Sequence, residues 1–95
     1  MAETGSERLD KWLWHARVVK ARSAVVQLIR EGHVRLNGTR VTAPGHVIRS
    51  GDVVTVVIGQ WLRVLRVVGF AKQRGNAVAA REIYQELEFP EAGGG

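Results

Sequence analysis

The dipeptide Asn37-Gly38 constrains this chain more than any other feature. A two-residue type I′ turn needs positive φ at both central positions, and Asn-Gly is the pair that takes it up most readily. The residues before it alternate. Over residues 33–36, Val34 and Leu36 point one way and His33 and Arg35 the other, and residues 39–42 return. An antiparallel hairpin is thereby set near the middle of the chain, and the rest must pack around it.

Before the hairpin the apolar period lengthens. Leu9, Trp12, Leu13, Ala16 and Val19 recur at three- and four-residue steps, which predicts a helix over residues 8–19. Lys11, Trp14, His15, Arg17 and Val18 fall on its remaining surface. After the basic connection Lys20-Ala21-Arg22, Ser23 is placed to cap a second helix over residues 24–31 by accepting a backbone N–H of its first turn. Val25, Leu28 and Ile29 form the inward side of that helix, Ser23, Gln27 and Arg30 line the other, and Gly32 ends it.

After the hairpin, turn signals at 43–45, 50–52 and 59–60 separate strands at 46–49, 53–58 and 61–68. Residues 69–75 read as a basic loop, and Asn76 is placed to cap a last helix over residues 77–87. The expected fold is α+β: two N-terminal helices packed on a small antiparallel sheet, plus a C-terminal helix. Residues 1–7 read as a disordered lead-in, 8–58 as the central unit, 59–89 as an added strand and helix on the same domain, and 90–95 as a flexible tail.

A chain of 95 residues, 45% of them hydrophobic, has room for one domain with a packed core. It has no cysteine, which excludes disulfides and thiolate metal sites. The polar, acidic residues 1–7 lack the basic and apolar regions of an export signal. The longest apolar stretch, residues 53–58, is far too short to span a bilayer. The expectation is a cytoplasmic protein with no membrane partner.

The formal net charge is +5, and it is unevenly distributed. Residues 8–40 carry eight Lys/Arg against only Asp10 and Glu31, whereas residues 81–95 carry Arg81 against four glutamates. Cations clustered on so small a domain attract a polyanion and release its condensed counterions on binding. Catalysis finds little support. His15, His33 and His46 lie on different elements without metal-ligand spacing, and no paired carboxylates or nucleophile elbow are present. The chain reads as non-enzymatic, with no cofactor, metal or small-molecule substrate.

The run Arg8-Leu9-Asp10-Lys11-Trp12-Leu13-Trp14, followed by Arg22-Ser23, Ile29, Gly32-His33-Val34 and Asn37-Gly38, resembles the S-four RNA-binding domain, also called the αL motif. Val47, Gly51-Asp52, Val54 and Val56 match its closing strand, so the resemblance covers about residues 8–58. Residues 9–17 look most like the heat-shock protein fifteen family of bacterial, stand-alone S-four proteins. The resemblance implies binding to ribosomal RNA or ribosome-held tRNA on free large subunits that still carry a nascent chain, in their recycling or rescue. Members often continue into a long basic tail, where this chain has acidic residues before Gly95.

In that fold the two helices and the hairpin form one RNA-docking face. On it the helical spacing places Arg8, Lys11, Arg17, Lys20, Arg22 and Arg30 for phosphates; Arg35 and Arg40 of the hairpin are also expected to bind RNA, and Ser23, Gln27, His33 and Asn37 to add uncharged hydrogen bonds to sugar or phosphate. Trp14 is placed either to stack on an exposed base or to pack against the C-terminal helix. Asp10 is expected to orient Arg17 or Arg22 by an ion pair rather than to touch RNA. The chain is expected to act as a monomer. The alternative is a DNA-binding or general nucleic-acid-binding module, because two short helices also suggest helix-turn-helix; the few outward residues of the second helix argue against it.

Overall fold

Both central residues of the hairpin turn take positive φ, 52° at Asn37 and 86° at Gly38. The computed structural model describes residues 5–87. In chain order these form β1 (Ser6–Arg8), α1 (Leu9–His15), α2 (Arg22–Arg30), β2 (Val34–Leu36), β3 (Thr39–Arg40), β4 (Val47–Arg49), β5 (Val53–Ile58), β6 (Trp61–Val67), α3 (Ala77–Ala80) and β7 (Tyr84–Leu87). One antiparallel sheet has the order β3-β2-β5-β6-β7, and β1 pairs with β4 in a separate two-stranded ribbon. The architecture is the expected α+β fold.

Strand alternation decides which sheet face is covered. Val34, Leu36, Val54, Val56, Leu65 and Val67 point to one side, where they join Leu9, Trp12, Leu13, Val25 and Ile29 of the helices in one core. Trp12 is fully buried, and its indole N–H donates to the carbonyl of Gly69 at 3.0 Å. The first helix has no side-chain cap. Its orphan N–H groups are satisfied by the segment before β4 instead, with Leu9 N donating to His46 O (2.8 Å) and Asp10 N to Pro44 O (3.1 Å).

Both N-terminal helices end in the same motif. In α2 the N–H of His33 reaches Leu28 O and that of Gly32 reaches Ile29 O, with Gly32 at φ 85°. In α1 the N–H of Val18 reaches Leu13 O and that of Arg17 reaches Trp14 O, with Arg17 at φ 60°. This is the Schellman termination, and Arg17 sits where glycine is usual. The helix expected over residues 8–19 therefore stops at His15.

Three other expectations are corrected. The second helix begins at Arg22 after an extended Ala21, so Ser23 lies inside its first turn and makes no cap. Asn76 does cap the last helix, accepting from Ala79 N at 2.9 Å, but that helix is a single turn. The chain then extends as β7, which pairs along β6 from Val67↔Tyr84 to Val64↔Leu87. Residues 6–7, placed in a disordered lead-in, belong to β1. Residues 1–4 and the tail from residue 88 lie outside the described residues.

Candidate nucleic-acid interface

Asp10, in the first turn of α1, is 2% exposed, yet its carboxylate gathers cations from two elements. Arg8 approaches in bidentate fashion, Nε to Oδ1 at 3.1 Å and Nη2 to Oδ2 at 3.2 Å. Arg22, at the start of α2, donates to Oδ2 at 3.4 Å, and the Lys11 N–H donates to Oδ1 at 2.8 Å. The guanidinium of Arg8 also lies over Gly45, within 3.6–3.8 Å of where a Cβ would stand. Both arginines remain substantially exposed, so the carboxylate fixes their direction without removing them from solvent. Charge-assisted bonds of this kind trade side-chain freedom for position. Of the two partners expected for Asp10, Arg22 is present and Arg17 is not; Arg8 is the added one.

Arg17 points to the C-terminal half of the chain, where its Nη1 donates to Gly75 O at 2.9 Å. Arg74 returns the contact. Its Nε donates to Trp14 O at 3.1 Å, and its guanidinium lies 5.2 Å from the Trp14 ring centroid. The expected choice for Trp14, base or C-terminal helix, thus has a third answer: the partner on the ring is the loop before α3. Lys72 on that loop is exposed.

A left-handed conformation disfavours every side chain except glycine's, so Arg17→Gly should stabilise the fold by about 0.5–1 kcal/mol in urea denaturation. The same change should weaken RNA binding. A strained arginine kept for its side chain gives opposite signs in the two measurements; unchanged or tighter RNA binding would show that Arg17 is not a contact.

Lys20, Ser23 and Arg30 are exposed on the helix side of the molecule, as is Gln27, whose Nε2 donates to Glu31 Oε2 at 2.9 Å. Asn37 is committed elsewhere. Its Nδ2 donates to Asp52 Oδ1 (3.1 Å) and its Oδ1 accepts from Val53 N (2.9 Å), locking the hairpin turn to the start of β5. Arg35 alternates with buried Val34 and Leu36, so it points away from the helices, and Arg40, its cross-strand partner, points the same way. His33 shares that side, with Nε2 3.5 Å from Glu31 Oε1. The expected single face is therefore two: a helix side and an outer sheet side.

His15, expected on the surface, is buried against Glu7 of β1, with Nδ1 3.7 Å from Oε1. Neither atom has a hydrogen-bond partner among the described residues. Burial, reinforced by the Lys11, Arg22 and Arg74 cations, holds the imidazole below its usual pKa. Burial likewise raises the Glu7 carboxyl, against the pull of Lys11 and Arg22. Glu7, Lys11 and His15 recur at four-residue steps, the one sequence signal for this cluster.

The unfolded chain protonates His15 near pH 6.5 while the folded chain resists, so His15 contributes stability above that pH which is lost as pH falls below it. Glu7 has the opposite sign: its raised carboxyl adds stability as pH falls through its folded pKa, a gain complete only below its ordinary value near 4.5. Thermal melts should therefore decline from pH 7.5 to 5.5, and His15→Leu should flatten that slope. An unchanged slope in the variant would place the pH dependence elsewhere.

The S4 domain family model matches residues 7–54, the segment from β1 into β5 that holds the Asp10 cluster. A solved structure of Vibrio cholerae heat shock protein 15, described as trimeric, superposes with a TM-score of 0.80 at 33% identity, covering 86% of this chain and 82% of that one. The chain belongs to the heat shock protein 15 family of S4-domain proteins. The heat shock protein 15 homolog of Aeromonas salmonicida is 42% identical over 88 residues, which is 92% of this chain and 66% of that protein. Heat shock protein 15 of Escherichia coli K12 is 35% identical over 79 residues, 83% of this chain and 59% of that protein. The chain thus spans about three fifths to two thirds of the length of these relatives. The S4 domain and the heat shock protein 15 relatives support an RNA-binding protein. No described helix is long and apolar enough to cross a membrane.

Proposed function

We propose that this chain docks through its helix side on structured ribosomal RNA, or on tRNA held by the ribosome, at the large subunit. There it acts in the recycling or rescue of stalled subunits that carry a nascent chain. The observation that supports the RNA contact is the buried Asp10 carboxylate aiming Arg8 and Arg22 outward from two elements. Each guanidinium can take two phosphate oxygens, and a fixed pair matches a backbone better than two free side chains do. Lys11, Arg17, Lys20 and Arg30 extend the same field, and Ser23 and Gln27 offer uncharged bonds to sugar or phosphate. Such a surface reads RNA by shape more than by sequence.

The ribosomal part of the proposal rests on membership in the heat shock protein 15 family. In this reading the protein is cytoplasmic, non-enzymatic, free of small-molecule substrates and membranes, and bound to RNA as a monomer. Its V. cholerae relative is described as trimeric, so sedimentation velocity of the free protein belongs to the test. The deciding experiment is co-sedimentation with separated large subunits, small subunits and whole ribosomes across a salt series. Salt-sensitive capture by large subunits is the expected result. Arg22→Ala should lower the log–log salt slope by about 0.7–0.9, the equivalent of one phosphate contact. Capture by isolated structured RNA but not by subunits would remove the ribosomal role. Stronger competition by duplex DNA than by structured RNA would replace the RNA with DNA.

A further inference from the structure

The outer side of the sheet carries a group of residues that the helix-side docking surface leaves unused. Cross-strand register sets Arg40 opposite Arg35, Arg35 opposite Thr55, and Val57 opposite Leu62. Directly paired residues share a face, and these belong to the side turned away from the helices. With Gly32, His33 and Gly38 they line an open depression of about 460 Å3, within the range of sites that hold small ligands, about 300–1,000 Å3.

The depression is cationic at one end and apolar at the other. Like charges placed directly opposite weaken a strand pair, yet neither Arg35 nor Arg40 has an acid within ion-pair distance among the described residues. Glu31, next to the lining residue Gly32, stands against His33. The Arg40 side chain passes over Gly32. Gly32, at φ 85°, leaves the space its side chain crosses, and a Cβ there would stand 3.2 Å from Arg40 Cδ and 3.4 Å from Nε. At the far end, Val57 and Leu62 are 39% and 55% exposed, side by side. Two adjacent unneutralised cations call for an anion, and the apolar shelf beside them calls for a flat body attached to it.

We propose that this depression is a second RNA site that seats an unpaired nucleotide, with its phosphate on Arg35 and Arg40 and its base on Val57 and Leu62. The inference rests on the RNA-binding reading above and adds a substrate feature to it: an RNA whose duplex, held on the helix side, runs into a single strand that passes round to the sheet. Bases outside a duplex can be splayed onto a protein surface in this way, and such contact tolerates most sequences.

The test measures affinities of the full chain for two labelled RNAs, a blunt hairpin and the same hairpin with a short unpaired uridine extension. The extension should raise affinity about tenfold, the equivalent of one charge-assisted contact. The ratio of the two affinities is the readout. It should fall to near one in Arg35→Gln/Arg40→Gln and be lowered in Leu62→Ser; all three residues are exposed, so the fold should survive the changes. Arg22→Ala should weaken both probes and leave the ratio alone. A wild-type ratio of one, or a ratio that survives the double arginine change, overturns the site while leaving helix-side binding standing. Failure of both probes to bind overturns the RNA reading itself, and this site with it. Displacement of the extension by poly-glutamate as readily as by oligouridylate overturns the nucleotide in favour of an acidic peptide.

Discussion

Replacing Arg8 and Arg22 together by methionine is expected to cost more stability than replacing Asp10 by alanine, although both changes dismantle the same cluster. The asymmetry comes from where each charge sits. The Asp10 side chain is 3% exposed, and without its arginines it keeps only the Lys11 N–H, so a carboxylate is left in the protein interior. The pair is buried on the Asp10 side only, so breaking it in this direction costs about 3 kcal/mol, the low end of the range for a fully buried pair. Removing Asp10 instead strands two guanidiniums that water already reaches, and the loss is that of the bonds themselves, about 1–3 kcal/mol. Urea denaturation of the two variants should rank them in that order. Asp10→Ala should also weaken RNA binding, even though it makes the chain more positive, because the arginines lose their direction. Tighter binding by that variant would reduce the cluster to a structural one.

The parts of the fold that were legible in the sequence are those whose signal is local. Asn37-Gly38 turns as its φ preference requires, and Gly32 ends α2 for the same reason. Arg17 ends α1 with the same hydrogen bonds but without glycine, so nothing in the sequence marks the stop. The region after Asn76 misleads in another way. Its Ala-rich start and the four-residue spacing of Ala79, Ile83 and Leu87 suit a helix. The free edge of β6 offers a rival set of backbone partners, however, and from Tyr84 onward the chain takes it. Such competition between a local period and a distant strand edge is decided only in the folded sheet.

The candidate site divides along the same line. An ion pair at Asp10 was legible, since an acid in a basic helix invites one, and Arg22 answers it. Arg8 was not legible as its partner, because residues two apart do not face each other on a helix. Arg8 reaches Asp10 only because it stands in β1, still extended, before the helix begins. The division of the arginines into two faces was present in the alternation of residues 33–36, which already turned Arg35 away from Val34 and Leu36. It becomes plain only once the helices are seen to cover the Val34 side.

Trp12→Ala is expected to leave the protein only marginally folded at room temperature. A fully buried aromatic truncated to alanine costs about 3–5 kcal/mol, against a total of about 5–15 kcal/mol for a domain of ordinary stability. A small domain sits at the low end of that range. Trp12→Phe separates packing from bonding. It keeps most of the ring and deletes the indole donor, leaving Gly69 O without the 3.0 Å bond that fastens the start of the loop. That loop brings Arg74 to Trp14 and Gly75 to Arg17. The phenylalanine variant should therefore fold, lose about 1–2 kcal/mol, and exchange amide hydrogens faster over residues 69–75 than over β2 or β5. If Arg17 depends on its Gly75 anchor to face RNA, the same variant should also bind RNA more weakly without any cation having been touched. Faster exchange in the loop with unchanged RNA affinity would mean that Arg17 finds its position from the α1 terminus alone.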